Sequence, residues 1–493
     1  MTRAAAPAKS VLRVLLAAGA AVAALLSLVR IFVFGSNQAY LDSVSGTWTA
    51  LAVDLTKGVF YRPLLGPDGF GGTRYFPLHF MLHATVIQVL GDPVRSGQLL
   101  AAFSVFLLAL GVYFLVRAQR GAWLLAASSA AVVFASQTTQ EALLSIKGDA
   151  LPAALNVWGM ALCAGETLGP WRALGAAGLF TLAFASKPTA VYGVLATTLW
   201  LVCSRRGKLG GMVLSATAIG AVVVLASMYL ASQGRVFEAL WAGASTGVRL
   251  SDFLKAPLTL AQLARQVPET LVFIQLGLAA VLVLTVRAKS LSSVPVLFFL
   301  AALVVSVPIF AFEGTDTNHL IDLHVVSVIA IAALVTSLQN TDADFAVATL
   351  AVATLAGSLS LASGLMNRRA EQREGTLAET LALIPDRQRP ILAENPLVPI
   401  AAGQQPYMLD SYMFRLIRPR NPLLSERLRR DLREQAFAAV VLERNPHDAR
   451  GIEWYRTAFF GEDFVEELEQ HYEMTGHVRM RVVYRPKTTP KPR

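Results

Sequence analysis

Charged residues are scarce in this sequence. Only 15% of its 493 residues are Asp, Glu, Lys or Arg, whereas a soluble globular protein of ordinary composition carries about a quarter. Hydrophobic residues make up 54% of the chain, and the mean hydropathy is +0.51. This balance argues against a soluble enzyme and against a disordered or fibrous chain.

Cysteine is almost absent. Cys163 and Cys203 both lie in apolar runs, so they predict neither a disulfide framework nor a metal site. Both are expected to be buried as small hydrophobic residues.

The sequence also has no internal repeat, which disfavours the repeat-built architecture of many transporters.

The basic residues are not gathered into one stripe with aromatic residues. The formal net charge is +10, but the Lys and Arg residues that produce it lie mostly between apolar segments. Such a distribution is typical of membrane topology. We therefore expect a membrane partner and no nucleic-acid partner.

Apolar runs divide the chain into a long membrane part and a short polar tail. Residues 367–493 hold 21 Lys and Arg and 18 Asp and Glu, a density typical of a water-soluble domain. The pattern predicts a membrane domain over 1–366 and a small α/β domain over 367–493. Eleven runs approach the length of a membrane-spanning helix: Val11–Phe34, Gln98–Val116, Ala122–Ala135, Leu151–Gly165, Ala173–Ala185, Thr189–Cys203, Met212–Ala231, Thr270–Val286, Val294–Phe312, Leu320–Leu338 and Phe345–Met366.

The predicted fold class is thus an all-α polytopic membrane bundle of about eleven helices with a C-terminal α/β domain. Phe76–Leu90 is too short for a membrane-spanning helix, because 15 residues of helix span roughly 22 Å, less than the hydrocarbon core. We interpret it as an interfacial or re-entrant helix. The short inner loops are then rich in Lys and Arg, which places the N-terminus in the cytoplasm and residues 367–493 outside it.

The first outer loop holds two carboxylates and a predicted helix. Ser45–Lys57 can form an amphipathic helix whose apolar face carries Trp48, Leu51, Ala52 and Leu55. Asp42 precedes this helix, where it is either a helix N-cap or a functional carboxylate near the lipid head groups. Asp54 lies within the helix and is expected to face water.

Further polar residues stand at the ends of apolar runs. Lys147 and Asp149 precede one predicted span and Lys187 separates two others; a structural ion pair and a snorkelling lysine are the alternatives to a functional role. Asp322 and His324 lie inside a predicted span, where ionisable residues are usually functional. Three metal ligands at a recognised spacing are not visible.

Several short motifs occur in a fixed order on the predicted outer side. They are Gly-x-x-Tyr-Arg-Pro at residues 58–63, Phe-Pro-Leu at 76–78, Lys-Gly-Asp-Ala-Leu at 147–151, Lys-Pro-Thr at 187–189 and Asp-Thr-Asn-His at 316–319. In this order they resemble membrane glycosyltransferases of the GT-C superfamily. The resemblance is to the protein O-mannosyltransferase-like family 39 and the aminoarabinose transferase-like bacterial branches. It covers most of residues 11–330.

The resemblance implies an active site on the outer face of a bacterial inner membrane. There, a sugar would move with inversion from a polyprenyl-phosphate donor to an envelope lipid, polysaccharide or protein. It favours Asp42 as general base, with Asp54 as the alternative, and adds Asp149 to the catalytic residues. The family's paired acids are reduced to Asp42-Ser43 here, which weakens but does not remove the case for a divalent metal. The implied substrate-binding residues are Arg62, Arg74, Tyr75, Lys147, Lys187, Asn318 and His319.

The polar tail mixes two periodicities. Leu423–Gln435 and Gly451–Tyr472 are predicted helices, and Ala436–Leu442 and Met480–Tyr484 are predicted strands. The tail is expected to cover the active site, to bind the acceptor or to act as a structural cap. A secondary transporter or a lipid or polysaccharide flippase remains the alternative function, as does a non-catalytic assembly partner.

Overall fold

The computed structural model describes most of the chain between residues 41 and 487. The described ranges are 41–165, 168–244, 249–288, 291–312, 314–338, 377–479 and 481–487, with isolated residues between 14 and 29. The predicted span Phe345–Met366 lies outside these ranges, and so does most of Val11–Phe34. The predicted domain boundary at residue 367 also lies outside them.

Helices make up most of the described part before residue 340. A helix occupies each predicted span between residues 98 and 338, and a two-stranded hairpin of β1 (Leu65–Gly66) and β2 (Gly69–Phe70) lies in the first outer loop. The helices are α1 Ser43–Thr56, α2 Pro77–Leu90, α3 Pro93–Ala118, α4 Trp123–Ala135, α5 Gln137–Leu144, α6 Ala150–Ala164, α7 Pro170–Ser186, α8 Tyr192–Cys203, α9 Gly207–Ser232, α10 Arg235–Ala244, α11 Leu250–Gln266, α12 Pro268–Ala288, α13 Val294–Ile309, the 3₁₀ helix Thr317–Leu320 and α14 Ile321–Ser337.

Four helical segments of the described chain are long and apolar enough to cross a membrane: α3, α9, α12 and Thr317–Ser337. Shorter apolar helices accompany them, among them α4, α6, α8 and α13. The prediction of a multi-pass membrane protein is confirmed, while the number of eleven spans stays a prediction. The helix predicted at Phe76–Leu90 is present as α2, and its interfacial position stays a prediction.

Helix α9 exposes several large apolar side chains. Ile219, Val222 and Leu230 are all exposed. A water-soluble fold would bury such a surface, whereas lipid tails accommodate it without cost. Cys203, expected to be buried, is exposed at the end of α8, and Cys163 is buried as predicted.

Helix α14 is buried along most of its length. A Cβ atom added to Gly277 of α12 would lie 2.5 Å from Cβ of Ser327 on α14, so a glycine is required for the two helices to approach this closely. This tight packing fixes α14, and with it the polar 3₁₀ segment that precedes it.

The chain divides into two compact units, and each of them combines three separated stretches. The first contains residues 37–97, 226–247 and 370–493. The other contains 98–225 and 248–369, together with the N-terminal 36 residues. In the tail, the elements of the first unit are α15 Leu377–Ala382, β3 Ile391–Ala393, α16 Leu397–Ala401, α17 Ser411–Ile417, α18 Pro422–Arg433, β4 Ala439–Leu442, α19 Ala449–Thr457, α20 Glu462–His471, β5 Tyr472–Val478 and β6 Arg481–Pro486.

The tail forms a four-stranded sheet in the order β3-β4-β6-β5. Strands β3 and β4 are parallel, and the other two pairs are antiparallel. The predicted helix at 423–435 and strands at 436–442 and 480–484 are confirmed as α18, β4 and β6. The single helix predicted over 451–472 is wrong: Phe460 and Gly461 have positive φ and separate α19 from α20.

The first outer loop shares its core with the tail. Phe70 of β2 donates its N–H to the carbonyl of Tyr407 at 2.8 Å and accepts from the N–H of Leu409 at 3.0 Å. Its ring packs edge-on against Phe414 of α17. The loop and the tail therefore belong to one compact unit, although more than 270 residues separate them in the chain.

Candidate functional site

A carboxylate and an ammonium group meet where α6 begins and α7 ends. Neighbouring antiparallel helices bring the start of one close to the end of the other, so Asp149 before α6 faces Lys187 after α7. Nζ of Lys187 donates to Oδ1 of Asp149 at 2.8 Å. The side chain of Asp149 is 13% exposed and that of Lys187 is 17% exposed. The pair is therefore partly accessible at the helix ends.

The 3₁₀ helix Thr317–Leu320 supplies the third side of this cluster. Asp316 caps it by accepting the N–H of Thr317 at 2.7 Å. Asn318 then donates from Nδ2 to Oδ2 of Asp149 at 2.6 Å, and Nζ of Lys187 donates to Nδ1 of His319 at 3.2 Å. Four residues predicted from three separate motifs thus form one hydrogen-bonded cluster.

Asp149 is held as a carboxylate. Burial alone raises the pKa of a carboxyl group, but the charge of Lys187, the electrostatic interaction with His319 and the hydrogen bonds from Lys187 and Asn318 outweigh it. The pKa of Asp149 therefore lies below its ordinary value. Such a group is a poor proton acceptor and a good anchor for a lysine.

Asp322 and His324, two ionisable residues of α14, have different environments. Tyr192 at the start of α8 donates its hydroxyl to Oδ1 of Asp322 at 2.7 Å. His324 is fully buried and packs edge-on against Phe273, with ring centroids 5.0 Å apart. Neither of its ring nitrogens has a hydrogen-bond partner among the described residues. Asp322 therefore belongs to a polar network, and His324 lies in an apolar environment.

Asp42 lies in the other compact unit and caps α1. Its Oδ1 accepts both the N–H and the hydroxyl of Ser45 at 2.9 Å, and its side chain is half-buried. The N-cap role of Asp42 is therefore confirmed, and its catalytic role stays a prediction.

Helix α1 differs from its prediction. Trp48 and Leu51 are buried as expected, but Ser45, Thr47 and Thr49 are buried as well. The one-sided amphipathic pattern was therefore the wrong expectation. The hydroxyl of Thr47 lies 3.0 Å from the backbone carbonyl of Leu409 in the tail. The tail thus covers the polar side of the helix, which explains the difference.

Asp54, expected to face water, is buried in a bidentate ion pair. Nε and Nη2 of Arg62 donate to its two carboxylate oxygens, both at 2.6 Å, and Nη1 of Arg62 donates to the carbonyl of Pro406 at 2.5 Å. Burial raises the pKa of Asp54, and Arg62 only partly offsets this rise. Arg62 thus links the first loop to the tail.

Replacing Asp54 with asparagine is expected to destabilise the protein and to leave turnover per folded molecule unchanged. The substitution strands the buried Arg62 guanidinium, and breaking a buried pair in this way typically costs about 3–5 kcal/mol. Denaturant or thermal unfolding of the detergent-solubilised protein measures the loss. If turnover falls while stability holds, Asp54 takes part in the reaction.

Arg74 and Tyr75 are packed into the same unit as Asp42. The guanidinium of Arg74 lies 4.6 Å from the ring centroid of Tyr412, a cation–π geometry. Tyr75 stacks on Trp48 with ring centroids 4.2 Å apart. Their predicted contacts with substrate stay predictions. Lys147 is half-buried, two residues before Asp149 in the turn that leads to α6.

Glu394, which follows β3 in the tail, is not among the residues predicted from the sequence. Its carboxylate accepts from Nε1 of Trp454 at 2.7 Å, the hydroxyl of Tyr455 at 2.7 Å and the N–H of Glu443 at 3.0 Å. Burial and the nearby charge of Glu443 raise its pKa from 4.5 to about 7. An acid directly after a short apolar strand was the only signal in the sequence.

Glu394 should make stability fall as pH rises. Because folding raises its pKa, the folded state holds the proton more tightly, and this contribution is lost between about pH 4.5 and pH 7. The shift corresponds to about 3 kcal/mol. Apparent melting temperatures of the wild type should therefore decline across this window relative to Glu394→Gln. Glu473→Gln, at an exposed position, serves as the control, and parallel curves for wild type and Glu394→Gln would refute the assignment.

Within the described ranges, no group of three or more His, Cys, Asp or Glu side chains is placed to hold a metal ion. The sequence leaves a divalent metal open, and these described residues offer no candidate site for one.

Comparison with known proteins shows a likeness in structure. No protein-family model matches the chain, and no curated protein matches it in sequence. The oligosaccharyltransferase of Archaeoglobus fulgidus, solved in complex with Zn and sulfate, superposes with a TM-score of 0.57 at 13% identity and covers 93% of this chain and 72% of its own. ArnT from Cupriavidus metallidurans bound to undecaprenyl phosphate gives a TM-score of 0.55 at 10% identity over 93% of this chain and 97% of its own.

The archaeal enzyme has also been solved with an inhibitory peptide and a dolichol-phosphate, with a TM-score of 0.57 and 13% identity over 93% of this chain and 72% of its own. These proteins belong to the GT-C superfamily. The chain therefore has the fold of GT-C membrane glycosyltransferases, and the fold implied by its motifs is confirmed.

Proposed function

We propose that the protein is an integral-membrane glycosyltransferase. It would move a sugar from a polyprenyl-phosphate donor to an envelope lipid, polysaccharide or protein, at the outer face of a bacterial inner membrane. The observation that carries the proposal is the lysine cluster: Lys187 is fixed between Asp149 and His319 at the ends of apolar helices and stays partly accessible. A lipid-linked phosphate meets a protein at such a position.

In this proposal Lys187 stabilises the leaving phosphate. When the bond between the sugar C1 and the phosphate oxygen breaks, its electron pair leaves with the phosphate, and a positioned ammonium group stabilises that charge. Asn318 and His319 contribute polar contacts around the same position. Asp149, predicted to be catalytic, is better suited to hold Lys187, because its low pKa disfavours proton uptake.

The base in this proposal is Asp42. Its carboxylate takes the proton of the acceptor hydroxyl, and the oxygen attacks C1 from the side opposite the phosphate, which inverts the anomeric centre. Support comes from its place directly before α1 and from the motif resemblance. Lys147, Arg74 and Tyr75 are proposed to complete donor and acceptor binding, whereas the full engagement of Arg62 with Asp54 and Pro406 favours a structural role.

A transfer assay with purified protein tests the proposal. The protein in detergent is incubated with a panel of polyprenyl-phosphate sugars and with lipid, glycan and peptide acceptors. Expected are equal amounts of released polyprenyl phosphate and glycosylated acceptor, with the anomeric configuration inverted by NMR. Movement of the lipid-linked sugar across proteoliposomes without any transfer would instead favour the flippase alternative.

A further inference from the structure

A turn of the tail lies against the start of the helix that Asp42 caps. Asn395 follows β3 and is almost completely buried. Its Nδ2 donates to the carbonyl of Leu41 at 2.8 Å, while its Oδ1 accepts the N–H of Leu397 at 3.1 Å. The carbonyl of Leu41 belongs to the peptide group that joins Leu41 to Asp42.

The backbone of α1 is open to this turn at one position. Gly46 lies one helical turn after Asp42, and a Cβ atom added there would lie 2.7 Å from Cδ of Pro396 and 2.9 Å from its nitrogen. Real side chains do not tolerate such distances, so only glycine permits the contact. The tail therefore contacts the first helical turn of α1, which follows Asp42 directly.

We propose that Asn395 is a positioning residue for Asp42. The proposal rests on the role of Asp42 as general base given above. A peptide group is planar, so a hydrogen bond to the Leu41 carbonyl fixes the orientation of the backbone that enters Asp42. Ser45 fixes the carboxylate from the other side. Asn395 and Ser45 together set the direction in which Asp42 points.

Such positioning has a large kinetic effect. A misplacement of about 1 Å in a catalytic group can cost about 10²-fold in rate. The tail would then contribute to turnover without contacting the reacting atoms. This gives the tail a task more specific than that of a cap.

Asn395→Asp removes the hydrogen bond to the Leu41 carbonyl. The carboxylate keeps an acceptor for the N–H of Leu397 but has no donor for the carbonyl of Leu41. We expect kcat to fall about 10–100-fold while KM for the lipid donor stays within about twofold. Amide hydrogen exchange should increase over residues 41–50 and stay unchanged in β4.

A second variant approaches the contact from the other side. Gly46→Ala pushes the Pro396 turn away and should give the same changes in kcat and in exchange. Gly178→Ala is the matched control, because Gly178 is a helical glycine whose added Cβ meets nothing within 4 Å. It should change neither kcat nor the exchange of residues 41–50.

The outcomes separate this inference from the proposed function. Unchanged kcat and unchanged exchange in Asn395→Asp, with Asp42→Asn inactive, would overturn the inference and leave the function intact. Full activity in Asp42→Asn would overturn the base assignment and the inference with it. If no donor in the panel is used by the wild type, the exchange measurement still decides whether Asn395 orders residues 41–50, and an unchanged pattern refutes it.

Discussion

Replacing Asp42 with asparagine is expected to lower sugar transfer by about 10²–10⁴-fold, the usual contribution of a general base. In this structure the substitution can test proton transfer separately from folding. Asparagine caps helices as well as aspartate does, so the contact with the N–H of Ser45 is kept and α1 should remain intact. The carboxylate's capacity to take a proton is lost.

The measurement is turnover at matched amounts of folded protein, with KM for the donor recorded in parallel. Asp448→Asn is the control, since Asp448 caps α19 in the same compact unit through the N–H of Gly451. It should leave turnover unchanged. A fully active Asp42→Asn protein would show that another group takes the proton, and the GT-C fold would be unaffected by that result.

Replacing Lys187 with methionine should lower kcat by about 10²–10³-fold, the range found when one charge-stabilising donor is removed from an active site. Affinity for free polyprenyl phosphate should fall as well, because the same ammonium group would bind the product. Lys187→Arg keeps the charge and should retain part of both properties.

Lys187→Met also leaves the carboxylate of Asp149 without its ion pair, which by itself destabilises the protein. The double variant Lys187→Met with Asp149→Asn removes this stranded charge. It should restore the amount of folded protein but not the activity. Lys208→Met, at an exposed position, controls for the loss of a lysine. If the double variant is active, Lys187 is a structural residue.

The sequence predicted the members of the lysine cluster better than their contacts. Charged residues at the ends of apolar runs have to lie at the membrane rim, and this placed Asp149, Lys187 and His319 in outer segments. Their direct contacts depend on how α6, α7 and α14 pack, and Asn318 reaches Asp149 across 169 residues of sequence. No periodicity encodes a contact of that range.

Helix α1 is buried on more sides than its sequence pattern predicts. The helical spacing of Trp48 and Leu51 predicts a helix with one apolar face, and Asp54 is expected to face water. The structure buries both sides, because the tail supplies the carbonyl of Leu409 to Thr47 and the turn at Asn395 to the helix start. Polar residues in a sequence indicate a need for hydrogen bonds, and a distant backbone can meet that need as well as water can.

The division of one compact unit into three stretches of chain has a consequence for biosynthesis. Between Gly97 and Ile391 a ribosome needs roughly 15–60 s at about 5–20 residues per second. Throughout that interval the start of α1, Arg62 and Phe70 have already been synthesised. The tail groups that contact them, which are backbone carbonyls, a side-chain amide and an aromatic ring, have not yet been translated. The loop has to wait in an incomplete state, open to chaperones and proteases, so the speed of elongation through the intervening helices sets how long each new molecule stays vulnerable.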